Sequence, residues 1–373
     1  MLYLVMLIVL SSFFAWTYFV YPFALRLLKR YYKVVLKGAY YPRISIIIPT
    51  YNEALEIEEK IQNTRELKYE GEFEILVVDS NSSDNTVEKA KKFDDVRVIE
   101  EKNRLGKTHA LNTALKETTG DLIIITDANC FSLTKNLLNI TAMNFFDPTV
   151  GAVAMIPWST NDPTQAMSDS YHRREHDLWT LESSLDSVPT GVGEYFAFRK
   201  QIIQSVNPKS LADDFDISMQ VRKGGYRIVY DPEAKVYEPA PTSFRDTFSQ
   251  MTRRNVNVLQ TLFLNRSILF GRKYGFYGAM ILPTRKLFPA LMPFVMMFIF
   301  LCLFLLNPLF FAIVISIGVL LSAISSSFRY FLIGLLANLY SWIKYLSRRY
   351  KYAWDKTPRS ELPFKNHNDN LSK

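Results

Sequence analysis

The chain has 373 residues, room for one large domain plus a smaller one, or for two domains. A formal charge of +8 would ordinarily suggest a nucleic-acid partner, but Arg26, Lys29, Arg30 and Lys33 follow one apolar segment, and Arg348, Arg349 and Lys351 follow another. That is the positive-inside distribution of a membrane protein and argues against nucleic acid; two cysteines, Cys130 and Cys302, cannot make a disulfide framework and read as packing residues.

The first region, 1–30, is apolar and aromatic and carries its charges after the apolar run. It lacks a basic leader and a small-residue cleavage site, so it reads as a retained span in an integral protein of the cell membrane, with its N-terminus outside and Arg26 to Lys33 in the cytosol. Residues 40–240 have the composition of a soluble α/β domain. The β-branched runs "RISIIIP", "FEILVVDS", "VRVIE", "DLIIITDA" and "VGAVAMI" alternate with helical stretches such as "ALEIEEKIQNTREL", "DNTVEKAKKF" and "GKTHALNTALKETTG". This alternation predicts a mostly parallel sheet with crossover helices, whose ligands bind beyond the carboxyl ends of the strands.

The third region opens with an amphipathic stretch over 241–275 that suits a helix lying at the membrane surface. Within 285–346, Leu287 to Leu306 is long enough to span a bilayer, and Leu309 to about Ser327 forms a second span after Asn307-Pro308. Phe328 to Leu346 could extend that span, lie flat or cross again; a further crossing would put Arg348, Arg349 and Lys351 outside. Three spans in all and a cytosolic tail over 347–373 are therefore expected.

Three apolar runs release polar loops on one rim: Thr50-Tyr51-Asn52-Glu53, Ser80 to Asp84, and Ala128-Asn129. Ser83 and Asp84 suit helix capping. Capping explains Asp79 and Asp127 less well, because each sits directly on a strand end. Gly106-Lys107 opens a helix where free N–H groups and an ammonium could meet a phosphate, although the spaced glycine of a P-loop is missing. Asp213, Asp214 and Asp216 crowd before another helix. One of them suffices for the helix dipole, while close acidic neighbours would raise the pKa of a general base. His172 and His176 have the spacing of a metal pair without a third ligand and read as part of an amphipathic surface helix; His109 reads as packed or exposed.

In order, "IIIPTYNEA", "VVDSNSSDNT", "GKTHALNTAL", "TDANC", "GEYFAFRK", "ADDFDIS", "GYRIVYDPEAKVYE" and "QMTRR" resemble the membrane-bound members of glycosyltransferase family 2 over roughly residues 42–260. That group includes cellulose, hyaluronan and poly-N-acetylglucosamine synthases and dolichyl-phosphate sugar transferases. The resemblance implies a Rossmann-like GT-A domain that inverts the anomeric carbon. It assigns Pro49, Tyr51, Glu53, Asp79 and Lys107 to the nucleotide side. Asp127 becomes the first acid of an Asp-x-Asp element, with Asn129 in the place of the second, together holding Mn²⁺ or Mg²⁺. Asp214 becomes the catalytic base with Asp213 beside it. Gln250, Arg253 and Arg254 fall on a Gln-x-x-Arg-Trp motif near the diphosphate and acceptor. Ser80 stands where many relatives carry an acid, and Arg254 replaces the tryptophan that stacks on acceptor sugars in polymerising relatives.

The expected reaction is displacement at C1 of a nucleotide sugar, with mannose from GDP-mannose passing to a polyprenyl- or dolichyl-phosphate-linked acceptor. A base at Asp214 favours a hydroxyl on a lipid-linked sugar over an ionised lipid phosphate, which needs no base. Three spans are too few for a translocation channel. A processive synthase using a UDP-sugar and a degenerate, non-catalytic membrane scaffold are the rival readings, the latter suggested by Ser80 and Asn129. Asn129 still offers a carbonyl oxygen, so the cation is expected to bind chiefly together with the donor's diphosphate.

Overall fold

The computed structural model describes residues 1–157, 166–239 and 243–350, with the backbone alone over 166–172. In chain order, α1 (Leu2–Ala15), a π-turn and α2 (Tyr21–Leu27) are followed by β1 (Ile44–Thr50), α3 (Ile57–Arg65), β2 (Phe73–Asp79), α4 (Thr86–Ala90), β3 (Val96–Glu100), α5 (Lys107–Glu117), β4 (Leu122–Ile125), β5 (Phe131–Ser132), α6 (Leu137–Asn144) and β6 (Val150–Ala154). Then come α7 (Ala166–Leu185), β7 (Phe196–Arg199), α8 (Asp213–Lys223), β8 (Arg227–Tyr230), β9 (Val236–Tyr237) and the helices α9 (Phe244–Leu264), α10 (Phe288–Leu306), α11 (Pro308–Ile324) and α12 (Ser326–Leu346).

The seven-stranded sheet has the order β3-β2-β1-β4-β7-β6-β8. All its neighbours are parallel except β7, which runs antiparallel to both β4 and β6. Every residue of β1 is buried because helices cover both faces of the sheet. Period-two alternation sends Ile46 and Ile48 to one face, with Ile57, Ile61 and Leu138 of α3 and α6. It sends Ile47 to the other, with Leu111, Trp179 and Ile217 of α5, α7 and α8. Burial bears out the packing role of Cys130 and Cys302. The mostly parallel α/β sheet is present as expected; β7, β8 and the short β5–β9 ribbon are added to the strands read from the sequence.

One feature differs from expectation, and one that was left open takes a definite form. His176 does not lie on an exposed face of α7. It is buried, and its Nδ1 hydrogen-bonds the Tyr230 hydroxyl, because α7 packs over β8; the His172 side chain lies outside the described residues, as do Lys351 and the tail from 351 onward. The stretch from Phe328 to Leu346, left open between extending the preceding span, lying flat and crossing again, follows a sharp bend. It forms α12, turned by 114° from α11 and packed along α9, with the Phe248 and Tyr340 rings stacked at 6.1 Å. Ser325, whose hydroxyl accepts from the Phe328 N–H, caps the new helix at the bend.

Among the described residues, Leu2–Leu27 and Tyr277–Leu306 are long and apolar enough to cross a membrane, and the bent α11–α12 pair would make a third span. The first two lie side by side: the rings of Phe13 and Phe288 are 4.6 Å apart, and Trp16 Nε1 donates to Thr284 Oγ1 at 3.2 Å. They are tied to the α/β domain by a buried polar hub. Arg285, at the head of the second apolar segment, pairs with Glu175, and its Nε lies 3.0 Å from Glu182 Oε1. The Tyr21 hydroxyl donates to the same Glu182 oxygen at 2.8 Å. Burial pushes the Glu182 carboxyl up to about 7 against the opposing pull of Arg285. Removing the cation would strand two carboxylates on α7. Arg285→Ala is therefore expected to destabilise the chain by about 3–5 kcal/mol, read as a lower midpoint of thermal unfolding in detergent, with Arg285→Lys intermediate. An unchanged midpoint would show that the hub contributes nothing to stability.

Candidate active site

The rim is built from the carboxyl ends of β1, β2 and β4. Asp79 ends β2 and is buried; its carboxylate accepts from Thr50 Oγ1 at 3.0 Å, Ser82 N at 2.7 Å and Ser82 Oγ at 2.5 Å. The loops after β1 and β2 thereby become one wall. Asn52 and Asn81 bend that wall with left-handed φ of 56° and 62°, which Asn tolerates better than most residues. Asp84 accepts from Thr86 N at 3.0 Å and from Ala54 N at 3.2 Å, serving both as a cap and as a tie between the two loops. Glu53 donates its backbone N–H to Thr86 Oγ1 at 2.8 Å. The Tyr51 ring lies under the Arg104 guanidinium at 3.7 Å, giving a flat half-exposed face beside the rim. Pro49 is buried inside β1, opposite Val78, one residue short of the rim.

At the centre stands a row of charges. Lys107 Nζ lies 2.7 Å from Asp127 Oδ1 and 3.5 Å from Asp213 Oδ2. Gly106, at φ +95°, turns the chain so that Lys107 begins α5 pointing at the end of β4. Gly193 leaves the space open from the other side: a Cβ there would sit 2.9 Å from Lys107 Nζ and 3.5 Å from Asp127 Oδ2. Burial alone would lower the Lys107 pKa, but the Asp127 and Asp213 carboxylates reverse this and hold it raised, as the ammonium. Asp214 follows Asp213 in the first turn of α8, and burial together with the Asp213 charge pushes its carboxyl up to about 7. Asp216 has a different task. Its carboxylate accepts from Asn207 N at 2.9 Å and Gln220 Nε2 at 2.8 Å and so anchors the preceding loop.

Asp127 and Asn129 together offer oxygen donors suited to Mg²⁺ or Mn²⁺. Among the described residues no group of three or more His, Cys, Asp or Glu side chains could hold a metal ion, so Asp127 and Asn129 by themselves make an incomplete coordination shell. The donor set therefore fits a cation that arrives with a diphosphate. The loop carrying these two residues is held from below by Lys60, whose Nζ donates to Thr126 Oγ1 at 2.8 Å and to the Cys130 carbonyl. Thr126 Oγ1 in turn donates to the Glu194 carbonyl at 2.8 Å.

The α9 helix supplies the last component. Arg254 Nη2 lies 2.7 Å from Glu194 Oε1 and 3.6 Å from Glu238 Oε2. Burial would raise the Glu194 carboxyl, but Arg254 outweighs it and holds it at about 2. Gln250 and Arg253 are half-buried on the same helix. Glu194, Gly193, Glu238 and Lys60 had no assigned role in the sequence reading. Glu194 and Glu238 lie within quoted motifs, whereas Lys60 looks like any charged residue of an amphipathic helix.

A Rossmann-like sheet with this acidic and cationic rim is the GT-A arrangement of nucleotide-sugar-dependent glycosyltransferases. Residues 45–206 match the family model for glycosyl transferase family 2. The chain is 27% identical over 220 residues to a poly-β-1,6-N-acetyl-D-glucosamine synthase of Staphylococcus aureus, covering 56% of this chain and 53% of that protein. It is 27% identical over 235 residues to the probable glycosyltransferase YdaM of Bacillus subtilis, covering 57% and 54%. The chain thus spans about half the length of the curated relatives it matches. The solved structure of mannosyltransferase PcManGT from Pyrobaculum calidifontis, in complex with GDP-Man and Mn²⁺, superposes with a TM-score of 0.80 at 26% identity, covering 93% of this chain and 99% of that one. Residues 45–206 thus form a glycosyltransferase family 2 domain with the GT-A fold, flanked on both sides by long apolar helices.

Because Lys107 neutralises Asp127 in the donor-free site, Mn²⁺ alone should bind at least about tenfold more weakly than Mn²⁺ with GDP, a difference of ~1.4 kcal/mol. Lys107→Met should tighten Mn²⁺ alone while weakening GDP. Calorimetric titration checks both, and tight Mn²⁺ binding by the wild-type chain without nucleotide would refute the first.

Proposed function

We propose that the protein is an inverting, metal-dependent transferase that moves one mannose from GDP-mannose to a polyprenyl- or dolichyl-phosphate-linked acceptor at the membrane surface. The observation that carries this reading is the position of Asp214. It is a carboxyl raised into the physiological range, one residue from the Lys107–Asp127–Asp213 row, on a helix whose Phe215 packs against Tyr277 and Leu282 at the start of an apolar helix. Similarity over nearly the full length to a mannosyltransferase bound to GDP-Man and Mn²⁺ supports the donor and the cation. The cluster Arg26, Lys29, Arg30 and Lys33 supports a cytosolic catalytic domain with the N-terminus outside.

In this scheme the Asp214 carboxylate takes the proton of an acceptor hydroxyl, and that oxygen attacks C1 from the face opposite the diphosphate. The new glycosidic bond forms as the bond from C1 to the diphosphate oxygen breaks, and the nucleoside diphosphate departs. Lys107, released from Asp127, turns its ammonium to the phosphates. Asp127 and Asn129 would hold a divalent cation, which would supply the remaining positive charge for the leaving group. Asp213 keeps Asp214 basic enough to accept the proton, and Tyr51 and Asp79 border the nucleotide.

One observation favours a processive synthase instead, the likeness to a poly-N-acetylglucosamine synthase over half the chain. Against it, Arg254 occupies the place of the acceptor-stacking ring and is held by Glu194 and Glu238. Mass spectrometry of the lipid product decides: a single added hexose supports the proposal, and a ladder overturns it.

Asp214→Asn should retain GDP binding and lower kcat by about 10²–10⁴-fold; near-normal turnover would remove Asp214 from the base role. Since the base must be ionised, kcat/KM should rise with pH through about 7, the value for Asp214. In Asp213→Asn that limb should move to lower pH, because the neighbouring negative charge is gone. A limb that does not move would show that the two acids are not coupled.

A further inference from the structure

Arg285 and Lys286 adjoin at the head of the second apolar segment and are treated in opposite ways. Arg285 is ion-paired with both Glu175 and Glu182. The half-buried side chain of Lys286 instead turns toward α8, with Nζ 5.7 Å from the centre of the Phe215 ring. Phe215 is the residue after Asp214, and with Ala212, Tyr277 and Leu282 it makes a buried apolar floor beneath the first turn of α8. Among the described residues, no hydrogen bond or ion pair engages the Lys286 ammonium, and the carboxylates of Asp214, Glu175 and Glu182 act on it only from beyond contact.

Two ordinary roles do not account for this. A lysine at the end of a membrane helix usually extends its ammonium to the headgroup layer, but this one leans back over the ring beside the base. A counter-ion of Asp214 would close to ion-pair distance, and no such pair forms. A partly desolvated cation with three unused donors costs free energy unless an anion completes it. The donor's diphosphate already has Lys107 and the Asp127–Asn129 loop on the rim. Lys286 itself lies at the start of an apolar helix, beside the cluster of Phe215, Tyr277 and Leu282, which is the side a lipid-borne anion would reach.

We infer that Lys286 is the acceptor's anion subsite, holding the phosphate or diphosphate of a lipid-linked acceptor so that the sugar attached to it lies beneath Asp214. This rests on the lipid-linked reading above and adds to it the residue that selects a charged lipid over a neutral one. Asp214 contributes the reacting geometry, and Lys286 contributes anchorage.

The test is equilibrium binding of the full chain in detergent micelles to C55 polyprenyl phosphate and to uncharged C55 polyprenol, followed by native mass spectrometry. The wild-type chain should prefer the phosphate by at least about tenfold. Lys286→Ala and the length-preserving Lys286→Met should abolish that preference, Lys286→Arg should keep it, and GDP–Mn²⁺ affinity should stay unchanged in all three. Retention of the preference by Lys286→Met, or no preference in the wild-type chain, overturns the inference. A parallel fall in GDP affinity overturns it as well, since Lys286 would then serve the donor. Displacement of the lipid by an equal concentration of inorganic phosphate would identify a free-phosphate site and equally overturn it. A separate transfer assay isolates the other reading: a Lys286-dependent phosphate preference without mannose transfer to any polyprenyl acceptor would leave this subsite standing and refute the proposed donor and reaction.

Discussion

The ammonium of Lys107 between Asp127 and Asp213 is the contact on which the arrangement of the site depends. It joins the start of α5, the end of β4 and the start of α8, elements from three separate parts of the chain. Three charges taken from water must be mutually compensated, because an unpaired charge in that position costs several kcal/mol. The compensation is tight enough to keep the lysine charged and incomplete enough to leave Asp213 and Asp214 both raised. Electrostatic stress among the carboxylates is thus built into the resting site, and it is of the sign that a proton acceptor near neutral pH requires.

Around this row the fold supplies rigidity through polar contacts made by buried groups. Asp79 closes one wall by accepting three hydrogen bonds. Lys60 fastens the loop after β4 from underneath, and Thr126 passes that restraint on to the Glu194 backbone. Arg254 then bridges Glu194 and Glu238, so α9 is drawn to the same loop that borders Asp127. Each restraint ends on a residue next to the reacting groups, which limits motion where sub-ångström placement matters.

Much of this was legible in the sequence because parallel strands buried on both faces must be written as unbroken apolar runs. The β1, β2 and β4 strands stand out for that reason, and polar residues directly after them are conspicuous. The antiparallel β7 was harder to read, since "FAFR" is too short to distinguish strand from motif. The two-residue β5 and β9 have no sequence signal at all, being made by the partner rather than by propensity. Lys60 and His176 show the same limit from another side: helical spacing places a residue on a face, but only tertiary packing decides whether that face is covered. The break near Ser325 was legible to within a few residues, but its angle was not, because both halves of the α11–α12 pair are apolar and a serine reads equally well inside a membrane helix or at its start.

The buried hub of Arg285, Glu175, Glu182 and Tyr21 has a geometric consequence. It pins α7 to both apolar helices, so the α/β domain cannot rise or rock freely relative to them. The position of Asp214 relative to the apolar helices is thereby fixed by the fold. In the proposed reaction a rigid stand-off of this kind would work as a gauge: among membrane-borne molecules of similar chemistry, it would admit those whose reactive group projects to that one height and reject longer and shorter ones without touching their distinguishing parts.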